Sequence, residues 1–212
     1  MKLFYLLIIF SILLFTSCVK EKVNFIPYLN NQKSDLALDL RTNNQEKKEI
    51  IDKSSLINDT EHCRRNNPNG CHNVGIYYYK LKDYNNAIKF HKKGCQLKFA
   101  LSCFNAGYTY DSMTDYEDKA IYFYKKACQL NYGLGCLNLG HIYMLNKNYT
   151  HSLKVYKKAC NAMIGLGCRN VAVQYYKGLG TSIQDGSTIM KLLKKACLLG
   201  DEASCKQLNE IR

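Results

Sequence analysis

Acidic charge is scarce in this chain. Its 212 residues carry 17 Asp and Glu against 30 Lys and Arg, a formal net charge of +13. Long apolar runs are also lacking: only Leu3 to Phe15 is nearly all apolar, and crossing a bilayer takes about 20 residues. Histidines number five, His62, His72, His91, His141 and His151, and they share no spacing. A metal centre needs clustered His, Cys and carboxylate ligands, so no metal and no cofactor is expected. The five histidines read as ordinary polar surface residues.

What the chain does have is cysteine. Ten of its eleven cysteines fall into pairs with the second member at i+8: Cys63/Cys71, Cys95/Cys103, Cys128/Cys136, Cys160/Cys168 and Cys197/Cys205. On one continuous helix such residues would stand about 12 Å apart, and a disulfide needs Cα atoms within roughly 7 Å. Bonded pairs therefore require a turn between their members. Turn residues are present there, as in Asn66-Asn67-Pro68-Asn69-Gly70, Gly133-Leu134-Gly135 and Gly165-Leu166-Gly167. Zinc ligation and free buried thiols are the competing readings. Zinc frameworks favour closer spacing, and a reduced protein has little reason to keep five identical intervals.

The eleventh cysteine, Cys18, ends a leader. Met1-Lys2 is a positive start, the apolar run follows, and Thr16-Ser17-Cys18 leads into Lys20-Glu21-Lys22. That order describes an export signal over residues 1–18. Leu14-Phe15-Thr16-Ser17-Cys18 also resembles a bacterial lipobox, which makes Cys18 the expected lipidation site. A plain cleaved signal and an uncleaved anchor are the alternatives. The polar residues 19–45 read as a spacer, and residues 46–212 as the folded domain.

Alignment on the second cysteine exposes a recurring helix. Asn73, Asn105, Asn138 and Asn170 stand two residues on, with Gln207 in the last unit. Gly75, Gly107, Gly140 and Ala172 stand four on, and Tyr78, Tyr110, Tyr143 and Tyr175 seven on. Val74, Ala106, Leu139 and Val171 stand three on, and the spacings of three, four and seven define one helical stripe, with small residues admitting a neighbouring helix. Alignment on the first cysteine exposes a second helix. Phe90, Phe123, Val155 and Leu192 stand five before it, and Lys92-Lys93, Lys125-Lys126, Lys157-Lys158 and Lys194-Lys195 end the helix. Each unit is thus a helix–turn–helix of solenoid length, stable only when stacked.

The pattern Lys-Lys-Ala-Cys, seven residues, Cys-x-Asn-(Val/Leu/Ala)-Gly-x-x-Tyr resembles the Sel-one-like repeat (SLR). The paired cysteines are similar to those of the Helicobacter cysteine-rich protein family. The stretch from Tyr176-Lys177-Gly178-Leu179-Gly180 to Lys194-Lys195-Ala196-Cys197 carries the likeness furthest. The earlier units lack its Gly-x-Gly turn and are shorter, as in tetratricopeptide repeats. The resemblance covers residues 61–212. It implies an all-α fold: a right-handed α/α superhelical solenoid with a concave face, stapled by disulfides between adjacent helices at the five cysteine pairs. It also implies a penicillin-binding protein with weak β-lactamase activity.

The residues give that activity no carrier. A serine β-lactamase needs Ser-x-x-Lys, and the one match, Ser17-x-x-Lys20, lies in the leader. Ser-Asp-Asn and Lys-Thr-Gly are missing. No catalytic residue is named. A binding role finds more support. Asn73, Asn105, Asn138 and Asn170 on successive first helices form a ladder of donors and acceptors suited to an extended peptide backbone; a purely structural role is the alternative. The lysine pairs would stack into a basic ridge attractive to acidic peptides or to anionic lipid and glycan surfaces, or simply complement helix C-termini. The expected partners are proteins or extended peptides, possible acidic ones included, with β-lactam or cell-wall peptide as the family alternative and a host protein as a further one. Nucleic acid is not expected, and membrane contact is expected only through a lipid anchor at Cys18. The expected location is the periplasm, the outer membrane or the exterior.

Overall fold

The computed structural model describes residues 53–113, 115–182 and 184–210. The leader, Cys18, the Ser17/Lys20 match and the 19–45 spacer lie outside the described residues. The described residues belong to a compact unit spanning Glu49–Arg212. Ten helices are described: α1 (Lys53–Arg64), α2 (Pro68–Lys80), α3 (Tyr84–Gln96), α4 (Ala100–Asp111), α5 (Glu117–Gln129), α6 (Gly133–Leu145), α7 (Tyr149–Asn161), α8 (Gly165–Lys177), α9 (Gly186–Leu198) and α10 (Glu202–Glu210). Each packs on its sequence neighbours, and α2 also touches α4. The result is the expected all-α solenoid, with even-numbered helices side by side along one layer and odd-numbered helices along the other.

The turns differ in how they cap the next helix. Three of the four turns from even to odd helices run into polar caps: Asp83 accepts from the Asn86 amide at 3.1 Å, Asn148 from His151 at 3.4 Å and Asp185 from Thr188 at 2.9 Å. An oxygen acceptor there satisfies one of the orphan amides of the first turn. Tyr116 before α5 makes no such bond. Turns from odd to even helices all share one backbone motif, which the turns into Asp83 and Asn148 repeat at 3.0 and 2.8 Å. Asn67, Phe99, Tyr132, Ile164 and Asp201 each donate to the carbonyl five residues back, at 2.9–3.1 Å. The residue before each is left-handed: Asn66, Lys98, Asn131, Met163 and Gly200, with φ between 61° and 85°. This is the Schellman arrangement. Its last residue is also the N-cap of the next helix, so the chain reverses with no spare residue.

That economy brings the cysteines together. The first of each pair lies in the last turn of an odd helix and the second in the first turn of the next even helix. All five disulfides form as Cys63–Cys71, Cys95–Cys103, Cys128–Cys136, Cys160–Cys168 and Cys197–Cys205, with Cα atoms 4.4–4.7 Å apart. Helices this close leave no room for two side chains in front of the bond. A β-carbon on Gly135 would stand 2.6 Å from Ala127 Cβ, one on Gly167 2.8 Å from Ala159 Cβ, and one on Gly94 would collide with Ser102 Oγ. One member of each of these three residue pairs is therefore glycine.

Candidate binding face and its supporting joints

The even helices form the layer in which a groove is expected. Half-buried residues recur on them five and eight positions after the second cysteine: Ile76 and Tyr79 on α2, Tyr108 and Asp111 on α4, His141 and Met144 on α6. Spacings of i and i+3 put each pair on one side of its helix. Neighbouring helices join there, with the rings of Tyr79 and Tyr108 5.8 Å apart and Gln174 Nε2 3.5 Å from Met144 Sδ. Burial, with Tyr79 beside it, pushes the Tyr108 hydroxyl well above its ordinary range, so it stays a neutral donor.

The four asparagines are placed differently from one another. Asn73 is exposed and donates to Asp59 Oδ1 at 3.2 Å. Asn138 is half-buried and bonds the Tyr124 hydroxyl. Asn170 is 4% exposed and bonds the Tyr156 hydroxyl. Asn105, also 4% exposed, has neither amide atom satisfied by the chain. The three with a partner share its repeat position, four residues before the first cysteine: Asp59, Tyr124 and Tyr156, where Asn105's unit has His91. The amides of Asn73, Asn138 and Asn170 are thus turned back toward the preceding odd helix, and Asn105 and Asn170 lie too deep to reach a groove ligand.

The same odd-helix residue fills the notch above the small residue of the stripe. A β-carbon on Gly75 would stand 2.5 Å from the His91 ring, one on Gly107 2.8 Å from Tyr124, and one on Gly140 2.6 Å from Tyr156. The Tyr124 and Tyr156 rings are therefore held between glycine of one even helix and asparagine of the next. The stripe tyrosines take another place: Tyr78 stacks on Phe90 and Tyr110 on Phe123, at 5.6 and 5.7 Å. Alignment at the fourth residue before the first cysteine would have exposed the ring position.

His72 and His91 correct the expectation that all five histidines lie on the surface. They are 7% and 1% exposed, with ring centroids 5.6 Å apart, and His72 meets Phe99 edge-on at 5.4 Å. Removal from water lowers His72 to about 4; it lowers His91 to about 3, with His72 a further cause. Neither has its Nδ1 satisfied by the chain. His91 sits where later units have tyrosine, and its shorter ring leaves the Asn105 amide without the hydroxyl that Asn138 and Asn170 find.

Position also explains Arg169. The residue after each second cysteine meets the N-cap residue of the next even helix: His72 with Phe99, and Phe104 with Tyr132 at 5.1 Å. In the last unit the same places hold Arg169 and Asp201, with Nε 3.1 Å from Oδ1 and both side chains at most 10% exposed. Asp201 also accepts from the Ser204 amide at 2.9 Å. An apolar contact has been replaced by a buried ion pair.

No group of three or more His, Cys, Asp or Glu residues among those described is arranged to hold a metal ion. No described helix is long and apolar enough to cross a membrane.

Repeated antiparallel helix pairs, stacked through glycine notches and closed by backbone turns, define an α/α helical-repeat protein. Its repeats have the Sel-one-like fold, a relative of the tetratricopeptide repeat: a family model described as tetratricopeptide repeat matches residues 68–101 and 135–162. Among solved structures, the chain is similar to a protective antigen of uropathogenic Escherichia coli displaying an SLR fold. That similarity has TM-score 0.68 and 21% identity, covering 74% of this chain and 36% of the antigen. A Sel1 repeat protein from Oxalobacter formigenes gives TM-score 0.57 and 20% identity, covering 66% of this chain and 61% of that one. Helicobacter pylori cysteine rich protein B gives TM-score 0.48 and 29% identity, covering 59% of this chain and 94% of that one. No curated protein sequence matches the chain. The first two likenesses show the fold, and the chain spans about a third and three-fifths of those proteins.

Proposed function

We propose that this protein is an extracytoplasmic scaffold that holds an extended segment of a partner protein along its even-helix layer. The observation that carries the reading is the half-buried set Ile76, Tyr79, Tyr108, Asp111, His141 and Met144, which recurs at the same two repeat positions on α2, α4 and α6. Tyrosine supplies contact area at low entropic cost and keeps a hydroxyl for a peptide group. Asn73 and Asn138 retain exposure beside this row and add amide contacts; Asn105 and Asn170 act within the joints. Five disulfides support a location outside the reducing cytoplasm.

A photo-reactive residue placed singly at Ile76, Tyr108 or His141 tests the face, against controls at Lys89 and Lys154 on the odd helices. Cross-links from the first three positions to the same stretch of one partner are the expected result. Cross-links confined to the odd-helix controls would overturn the reading. Alkylation of intact cells before lysis should leave the ten paired cysteines unmodified, and modification of them would place the protein in the wrong compartment.

A further inference from the structure

The edge of the stack that carries the disulfides differs in charge from the opposite edge. Helices α3, α5, α7 and α9 run parallel in their layer, so their C-terminal ends share that edge. Each of them carries three lysines, two of them in the pair just before the cysteine. Residues 92–101, 125–134 and 157–166 contain no Asp or Glu, while the equivalent stretch of the fourth joint, 194–203, holds buried Asp201 and exposed Glu202. Among the described residues none of these lysines enters an ion pair. The acids instead gather where these helices begin, as Asp83, Asp115, Glu117, Asp118 and Asp185. Across the three middle joints that edge is thus cationic without nearby acids, and the opposite edge is mixed.

Apolar side chains stand in water on the same cationic edge. Leu130 is 37% exposed, Met163 63% and Leu198 86%, each within six residues of a lysine pair. Met163 is unusual in a second way. It holds a left-handed backbone, φ 63°, at the turn position occupied elsewhere by Asn66, Lys98, Asn131 and Gly200. A bulky side chain costs free energy there that Gly or Asn largely avoids, and here it also gains no burial. Folding alone gives no reason for methionine at this position.

We propose that the disulfide edge rests on an anionic lipid surface. The lysine pairs would sit at the headgroup level, and Leu130, Met163 and Leu198 would enter the boundary between headgroups and acyl chains. Lysines beside exposed apolar residues are the chemistry of peripheral membrane contact. A soluble polyanion would answer the lysines but leave the apolar tips in water. The contact is peripheral, since no described helix has the length and apolarity to span. It lies on an edge separate from the proposed partner row and does not rest on that row.

The test is co-sedimentation of the full oxidised chain with vesicles of phosphatidylcholine alone or mixed with phosphatidylglycerol, with dextran sulfate as a soluble polyanion. The proposal expects binding to the mixed vesicles that weakens as salt is raised. Reversing four exposed lysines at once, Lys92→Glu, Lys125→Glu, Lys158→Glu and Lys194→Glu, should lower mixed-vesicle partition at least tenfold. Met163→Ser with Leu198→Ser should lower vesicle partition several-fold and leave dextran sulfate binding unchanged. Equal binding to both vesicle types, unaffected by the lysine variant, would overturn the proposal and assign attachment to the leader. Dextran sulfate binding without vesicle binding would overturn it in favour of an anionic glycan. Thermal melts of both variants, matched to the parent, show that loss of binding is not loss of fold.

Discussion

The ring of Tyr124 lies on the bare backbone of Gly107, where a β-carbon would stand 2.8 Å from Cδ1. That contact sets how near α4 and α5 approach. Gly107→Ala should therefore lower stability by about 1–3 kcal/mol through overpacking, despite alanine's better helix propensity. The repeat-equivalent positions in the last unit hold Ala172 and Leu193, both buried. Gly107→Ala combined with Tyr124→Leu should lose less than the two single effects added. Thermal unfolding of the double-mutant cycle measures the difference.

The buried histidines make the α2–α3–α4 joint sensitive to acid. His72 falls to about 4 and His91 to about 3, against about 6.5 in an unfolded chain. Between those values the unfolded state binds protons that the native state does not. Stability is then full above about pH 7 and declines as pH falls toward 3–4, by a few kcal/mol in all. His91→Tyr should flatten that decline, because it removes one buried base. It also offers the Asn105 amide the hydroxyl found by Asn138 and Asn170, over a glycine notch already present at Gly75. A gain of about 1 kcal/mol at neutral pH is expected. Chemical denaturation at pH 7 and pH 5 reads both effects, and a steeper acid slope in the variant would refute the assignment.

Arg169 and Asp201 predict a different cycle. Arg169→Leu leaves a buried carboxylate without its cation and should cost about 3 kcal/mol or more. Adding Asp201→Ser removes that carboxylate while keeping a side-chain oxygen for the Ser204 amide. The double variant should recover most of the loss. Failure to recover would mean that the pair, rather than the removal of stranded charge, holds α8 to α10.

Met163 sets stability against surface chemistry. Met163→Gly relieves the left-handed backbone and should raise stability by about 1 kcal/mol, net of the added freedom of the unfolded chain. The same change should weaken attachment to anionic vesicles. A melt and a sedimentation assay on one variant test both directions.

Much of the fold was legible in the sequence because it is written five times. The i+8 cysteines marked the joints, and the Asn-Gly-Tyr register marked one helix of each pair. The site was less legible. The asparagines recur as a ligand ladder would, but recurrence alone does not separate a groove from a helix joint. Only the depth of Asn105 and Asn170 does that. The histidines misled for a related reason. His91 belongs to a register otherwise filled by Asp59, Tyr124, Tyr156 and Leu193, a set with no common chemistry. Its common property is location beneath the next helix, which needs the stack to be seen. Arg169 was hidden in the same way, since its equivalents are His72, Phe104 and Leu137.

Every disulfide joins a cysteine to the next one along the chain within its own joint, eight residues away. A chain threaded through a membrane from its N-terminal side would present these domain cysteines in the order in which they must pair. An oxidant acting on each couple as it emerges would make the native bond before a competing thiol arrived. Maturation would need no reshuffling enzyme, and each finished joint would be a rigid platform on which the following helix folds.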